Sequence, residues 1–344
     1  MEKEIVKAWN GKRTDKVPMW LMRQAGRYLP EYREVRAKAG GFLNMVYNPA
    51  IAKEITLQPL KRFDLDAAIL FSDILVVPHA LGLKLAFMEG EGPKLDVVTD
   101  ATRLNENGFL DRLAPVMDTV AAVKADLPKG KALIGFVGSP WTVASYMVHG
   151  EGGHDFALIR NFAKLEPDAF QRIIDVLVRV TISYLDAQVR AGAEAVQVFE
   201  SWASAVTGDD FKRWVVAPNA AIVAGFKKLH PHVPVIGFPR TAKTDDLLAF
   251  DIGCNAIGLS QDVAPEWAAK HLQTRVCVQG NLAPELLLEG GAKMEETAKN
   301  ICLSLDGGPF VFNLGHGVIK ETDPSHVAAL VETVHGFKRR ALAA

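Results

Sequence analysis

Ala132-Leu133-Ile134-Gly135-Phe136-Val137, followed at once by Gly138-Ser139-Pro140-Trp141, is an unbroken apolar run that ends in turn-forming residues. A strand with one wet face alternates apolar and polar side chains, whereas a strand covered on both faces reads as a continuous run. This one is of the second kind. Working outward, seven more such runs appear: Met19 to Met22, Ala67 to Phe71, Ala195 to Phe199, Val233 to Phe238, Ala256 to Leu259, Arg275 to Val278 and Phe310 to Leu314. Between them lie segments of helical period. Pro49 to Arg62 follows Asn48, a start signal of N-cap and first-turn proline. Pro167 to Arg190 carries Phe170, Ile173, Ile174, Leu177 and Leu185 on one stripe, with Gly192 just past its end. Asp210 to Leu229, Thr244 to Ala249, Pro265 to His271, Met294 to Leu305 and Pro324 to Arg340 continue the alternation. Eight strand–helix units predict a single-domain (β/α)8 barrel of the TIM type over residues 1–344, rather than an open doubly wound sheet. No linker or low-complexity tract divides the chain.

Composition narrows the partners. Of 344 residues, 49% are hydrophobic and 23% charged, enough for a substantial core. Lys and Arg total 39 against 40 Asp and Glu, a net charge of −1, so nothing points to nucleic acid or an anionic membrane. Any anion site must be local. The first seven residues are mixed in charge, and the most apolar stretch, Ile74 to Leu83, contains Pro78 and His79; a cytoplasmic protein is expected. Cys254, Cys277 and Cys302 are far apart, as suits reduced thiols. The nearest approach to a zinc set, His271 with Cys277, lacks a second cysteine at ligand spacing, so no metal is expected.

In such barrels chemistry gathers at the carboxyl ends of the strands, which makes the residues after each run the ones to interrogate. After the first come Arg23 and Arg27, with Arg36 downstream. Guanidinium forks fit carboxylate or phosphate two bonds at a time, although such arginines also pair with internal carboxylates or decorate surface turns. Asp73 follows Phe71-Ser72 and reads equally as a helix cap or as a functional carboxylate. The third run leads to Tyr146 and to Gly150-Glu151-Gly152-Gly153-His154, which lacks the spacing of a phosphate loop. Phe199-Glu200-Ser201-Trp202 ends the fourth, and His316 lies between Gly315 and Gly317, either as a turn histidine or as a ligand contact. No strand-end lysine, nucleophile elbow or metal cage is apparent. Arginines interleaved with Trp20, Phe71, Phe136, Tyr146 and Phe199 suit an anionic, partly apolar ligand and catalysis by general acid and electrostatics.

The stretch Pro18-Met19-Trp20-Leu21-Met22-Arg23-Gln24-Ala25-Gly26-Arg27-Tyr28-Leu29-Pro30 resembles the uroporphyrinogen decarboxylase family. So do Leu57-Gln58-Pro59-Leu60, Phe71-Ser72-Asp73-Ile74-Leu75, Gln279-Gly280-Asn281-Leu282 and Asn313-Leu314-Gly315-His316-Gly317. The resemblance spans nearly the whole chain. It implies a cofactor-free enzyme that removes carbon dioxide from the four acetates of uroporphyrinogen III, giving coproporphyrinogen III for haem synthesis. It also implies a homodimer whose clefts face each other. By position, Asp73 matches the aspartate that accepts hydrogen bonds from pyrrole N–H groups. Arg23, Arg27 and Arg36 match basic residues for substrate carboxylates, Arg23 also being a proton-donor candidate. Tyr146, Ser201 and His316 match ligand-contacting positions, and Phe71 and Phe199 belong to the apolar substrate-binding surface. Trp202 departs from the pattern, standing where some members have histidine. Two rival readings are a zinc-dependent, corrinoid-type methyltransferase on the same barrel and a non-catalytic tetrapyrrole-binding protein.

Overall fold

The structure is a computed structural model and describes residues 2–88, 92–152 and 155–341. Gly153 and His154 of the glycine-rich stretch lie outside the described residues. Its strands are β1 (Ala67–Ile69), β2 (Leu85–Met88), β3 (Gly92–Leu95), β4 (Ala132–Gly138), β5 (Ala195–Glu200), β6 (Val235–Pro239), β7 (Ala256–Gly258), β8 (Cys277–Leu282) and β9 (Phe310–Leu314). Seven form one parallel sheet in the order β1-β4-β5-β6-β7-β8-β9; β2 and β3 make a separate antiparallel hairpin that the sequence reading did not anticipate.

The eighth stave is the first apolar run. Met19 bridges Phe312 of β9 in parallel, with Phe312 N–H donating to Pro18 O at 2.9 Å and Trp20 N–H to Phe312 O at 3.3 Å. On its other side Asp66, just before β1, donates its N–H to Met19 O at 2.9 Å, and its carboxylate accepts from Met19 N–H at 2.8 Å. The ring is thereby closed, and the fold is a (β/α)8 barrel. Every residue of β4, β6, β8 and β9 is buried, which is why β4 and β6 read as unbroken apolar runs, while β8 and β9 carry the buried amides Gln279, Asn281 and Asn313.

A polar thread crosses the interior. Trp9, from the short helix Glu4–Trp9, and Trp20 both donate indole N–H to Gln279 Oε1, at 3.0 and 2.9 Å; Gln279 then donates to Gln197 Oε1 at 3.0 Å. β5 and β8 are not neighbours in the sheet, so that last bond spans the barrel. Sharing Gln279 Oε1 between two indoles fixes both tryptophans against one amide, although the Gln197 amide nitrogen at the end of the thread is buried without a partner.

Outside, the helix Pro167–Ala191 buries the stripe read from sequence. Its Gln188 side chain accepts from Phe136 N–H at 2.9 Å and donates to Phe136 O at 3.0 Å, serving a peptide that β1, ending at Ile69, does not reach. A Cβ on Gly135 would lie 2.5 Å from that side chain, so the glycine admits it. The helix expected from Asp210 is α-helical over Gly208–Phe211, has a π turn at Lys212–Val216 and resumes as Ala217–Leu229. The last helix, expected to reach Arg340, stops at His335. The chain beyond it is extended so that Arg339, whose side chain is 2% exposed, can clamp Asp306 and the carbonyls of Thr14 and Gly308.

Candidate active site

The turn after the first stave decides where its arginines point. Gln24 is fully buried: its side chain accepts from Leu21 N–H at 3.1 Å and donates to Ala67 O at 3.0 Å, and its carbonyl accepts from the Tyr28 hydroxyl at 2.8 Å. Turning Gln24 inward puts Arg23 in the left-handed region, φ 60°, a conformation that costs a non-glycine residue on the order of 1 kcal/mol. The Arg23 side chain is thrown toward solvent across the loop that follows β9. There Val318 N–H donates to Met22 O at 2.9 Å, and a Cβ on Gly317 would fall 2.3 Å from Arg23 Cδ. Gly317 is bare because the arginine stem lies on it.

Asp73 lies just beyond β1, where the backbone turns: Phe71 N–H donates to Thr56 Oγ1 at 2.9 Å and the Asp73 carboxylate accepts from Leu75 N–H at 2.8 Å. The residue thus caps a turn, and it lies within reach of the field of Arg23 and Tyr146. It keeps intermediate exposure through the open mouth, yet protein surrounds it densely enough to desolvate its charge. Burial pushes its carboxyl up to about 6, against the pull of the Leu75 N–H and of Arg23. Behind it stand neutral groups: Tyr47, hydrogen-bonded to His79 Nδ1 at 2.8 Å, and Tyr184. Burial, then the charge of Asp73, pushes the Tyr47 hydroxyl up to about 12.

Tyr146 comes from the helix Pro140–His149, its ring beside Gly152, where a Cβ would approach to 2.8 Å. Burial and then Asp73 push its hydroxyl up to about 12, while Arg23 and Arg240 pull it down. His316 is pushed down to about 3 by burial, then by Arg240 and Arg23, so its imidazole is neutral at physiological pH. These mutual influences put Arg23, Asp73, Tyr146 and His316 around one space, as the strand-end rule implied. They also add a residue that the sequence reading missed. Arg240, directly after β6, is half-buried, its guanidinium carbon 5.9 Å from the Trp202 ring centroid, and makes no ion pair among the described residues. Its charge is disfavoured by burial and by Arg23. Two like charges near enough to disfavour each other, neither held in an ion pair among the described residues, form a site for an anion.

The remaining candidates divide into a floor and an outer wall. Phe199 stands edge-on between Phe136 and Phe238, ring centroids 5.5 and 6.1 Å apart, and Ser201 follows one residue past the end of β5. Phe71 packs instead against Tyr32 (5.9 Å) and Phe42 (5.6 Å), and Arg27 and Arg36 lie near the Tyr32 hydroxyl, whose anion they favour. Arg27 and Arg36 are thus exposed on the Tyr32 side of the mouth, one aromatic layer out. Among the described residues no three His, Cys, Asp or Glu side chains are grouped to hold a metal ion. The Cys254 and Cys302 thiols are pushed up to about 11 and about 12 by burial, the opposite of a metal-binding thiolate.

Comparison with known proteins agrees with this geometry. The family described as Uroporphyrinogen decarboxylase (URO-D) matches residues 1–337. The uroporphyrinogen decarboxylase of Novosphingobium aromaticivorans is 48% identical, covering 97% of this chain and 99% of its own. That of Erythrobacter litoralis is 50% identical over 96% and 97%. Among solved structures, a methyltransferase from Methanosarcina mazei superposes with a TM-score of 0.81 over 96% and 97% of the two chains at 18% identity, a likeness of fold. On the strength of a match running almost from end to end, the chain belongs to the uroporphyrinogen decarboxylase family.

Proposed function

We propose that the chain, acting as one catalytic domain over residues 1–344, converts uroporphyrinogen III to coproporphyrinogen III in tetrapyrrole biosynthesis. It releases four carbon dioxide molecules from the four acetates and needs no cofactor. The observation that carries this reading is a desolvated carboxylate, Asp73, set in a mouth whose cations, Arg23 and Arg240, make no ion pair among the described residues. An acetate on a pyrrole loses carbon dioxide only if the electrons of the breaking C–C bond have somewhere to go. Protonation of the adjacent ring carbon makes an iminium-like ring that accepts them; a second proton then takes the place of the lost carboxylate at the exocyclic carbon, and the ring carbon gives its proton back to restore the pyrrole, so each acetate consumes one proton net. Asp73 accepts the pyrrole N–H and stabilises the positive charge as it develops. With its carboxyl near 6 it is ionised at neutral pH.

Arg23, Arg27, Arg36 and Arg240 take the carboxylates at the tetrapyrrole's rim, with Tyr146, Ser201 and neutral His316 as hydrogen-bonding groups and Phe199 as the apolar floor. Arg23 is the proton-donor candidate. Holding the reacting carboxylate too tightly would favour the ground state, so the arginines serve best on the carboxylates that are not reacting. The working unit is proposed to be a homodimer in the cytoplasm; no described helix is long and apolar enough to cross a membrane.

Anaerobic incubation with uroporphyrinogen, followed by chromatography by carboxylate number, is expected to show a stepwise fall from eight to four. Unchanged octacarboxylate would refute the proposal. Activity that chelators abolish and zinc restores would favour the methyltransferase reading instead. Tetrapyrrole binding with no turnover would favour a binding protein.

A further inference from the structure

Glu200, the last residue of β5, is fully buried, while its neighbours Phe199 and Ser201 are each partly open. Strand alternation sends its side chain away from the mouth, into the wall formed by the end of β4 and the helix Pro140–His149. There the carboxylate accepts hydrogen bonds from the hydroxyls of Ser139 and Thr142. Asn219, just past the π turn, donates to Ser139 Oγ at 2.8 Å and to Val215 O at 2.9 Å. Among the described residues no cation pairs with Glu200. Burial pushes the Glu200 carboxyl up to about 7, and the Ser139, Thr142, Trp202 N–H and Asn219 groups pull it back. A buried carboxyl without a countercharge lowers stability relative to an apolar or amide replacement, so its presence is better explained by what it orients.

What it orients is Trp202. A hydroxyl has one proton, and Thr142 spends it on Glu200, which leaves the lone pairs of Oγ1 to accept Trp202 N–H at 3.3 Å. The preceding residue, Trp141, donates its indole N–H to Trp202 O at 3.2 Å. Both backbone polar groups of Trp202 are therefore held by consecutive residues of the helix that carries Tyr146. The Trp202 ring then packs against Tyr146 (6.1 Å) and Phe156 (5.0 Å) and lies beside the Arg240 guanidinium (5.9 Å).

We propose that Glu200 is a positioning residue which, through the Thr142 hydroxyl, fixes Trp202 and with it the Arg240–Tyr146 side of the mouth, so setting affinity for the carboxylate rim of the substrate. The substrate part rests on the decarboxylase reading; the positioning part does not.

Thr142→Val removes the relaying hydroxyl at nearly constant volume, and Thr142→Ser restores it. With uroporphyrinogen, Thr142→Val is expected to raise KM about fivefold to tenfold with kcat within about twofold, the effect of one lost hydrogen bond. Thr142→Ser should lie near the unmodified enzyme, and in a Trp202→Ala background Thr142→Val should add less than about twofold. Equal KM values for the Val and Ser variants overturn the proposal, as does an undiminished effect in the Trp202→Ala background. So does a loss confined to melting temperature and active fraction. A second readout needs no turnover: acrylamide quenching of the Trp202 fluorescence, isolated by subtracting a Trp202→Phe variant, should rise in Thr142→Val and not in Thr142→Ser. Unchanged quenching overturns the positioning role even if the protein proves not to be a decarboxylase. Inactivity of the unmodified protein with altered quenching in Thr142→Val would refute the substrate reading alone.

Discussion

Gly317→Ala should cripple substrate binding without touching a single charged or polar group. The added Cβ would fall 2.3 Å from Arg23 Cδ and 2.6 Å from Cγ, both inside the distance that real Cβ atoms keep, and 3.0 Å from Cβ, at the tight edge of real contacts. Gly317 is not among the glycines of positive φ, so the alanine itself is unstrained and the effect is steric. Nor can Arg23 slide away by rotating its far end, because the clash reaches its own Cβ and its backbone is pinned in the left-handed turn by Gln24. The stem must change rotamer and carry the guanidinium out of the mouth. A hydrogen bond to a charged group is worth roughly 1.5–3 kcal/mol, so kcat/KM should fall about 10- to 100-fold, mostly through KM. The assay is steady-state turnover of uroporphyrinogen with a thermal melt alongside. In an Arg23→Ala background the glycine substitution should add almost nothing, because the group it displaces is already gone. A Gly317→Ala enzyme within twofold of normal, or one whose defect multiplies fully with Arg23→Ala, would refute the reasoning.

Asp73→Ala is expected to lower turnover by on the order of a thousandfold while tetrapyrrole binding, followed by fluorescence, persists; near-normal rates would remove Asp73 from the mechanism. Because burial raises the Asp73 carboxyl to about 6, kcat/KM should decline as pH falls through about 6, and an acid limb near the ordinary value of 3.8 would contradict the desolvation argument. Glu200, raised from 4.5 to about 7, retains its proton in the folded state where the unfolded chain has lost it, so its contribution to stability falls as pH rises through that window. Glu200→Gln should therefore gain stability over the parent, by roughly 3 kcal/mol between pH 5 and pH 8 in urea titrations, and a pH-independent difference would count against it. Arg339→Met takes from the buried Asp306 carboxylate one of its two arginines, Arg13 remaining at 2.9 Å, and should cost about 1.5–3 kcal/mol by the same titration; a loss under about 0.5 kcal/mol would show the clamp to be dispensable.

The barrel was legible because its strands are covered on both faces, and continuous burial writes a continuous apolar run. Val196, Val198 and Ile236 advertise the sheet whatever lies at its end. The β2–β3 hairpin escaped notice since its exposed and half-exposed positions, such as Gly92 and Lys94, break any such run. Helix ends followed local chemistry except at the carboxyl terminus, where Arg339 reaching Asp306 outweighed helical propensity over residues 336–340. Within the candidate site, Asp73, Arg23, Tyr146 and His316 are singled out by their place after strand runs. Arg240 stands in the same place after Val233 to Phe238 and was passed over for want of a motif, although the rule that found the others would have found it. Glu200 was hidden differently: sequence shows which residue ends a strand, not which way the wall behind it is wired. Gly317 shows the same limit, for its reason is a contact between loops nearly 300 positions apart.

The first stave joins the barrel through Phe312, a residue nearly 300 positions further along the chain. During synthesis the segment bearing Arg23 and Arg27 emerges early and must wait, unpaired on one flank, for the last strand to arrive. A chain released before β9 lacks the hydrogen bonds of Phe312 to Pro18 and Trp20, the side-chain bond from Asn313 to Met22 N–H and the glycine over which Arg23 lies. A chain interrupted before β9 would then hold most of the barrel's staves with Arg23 unseated, so the early segment gains its aim only when the distant one is in place.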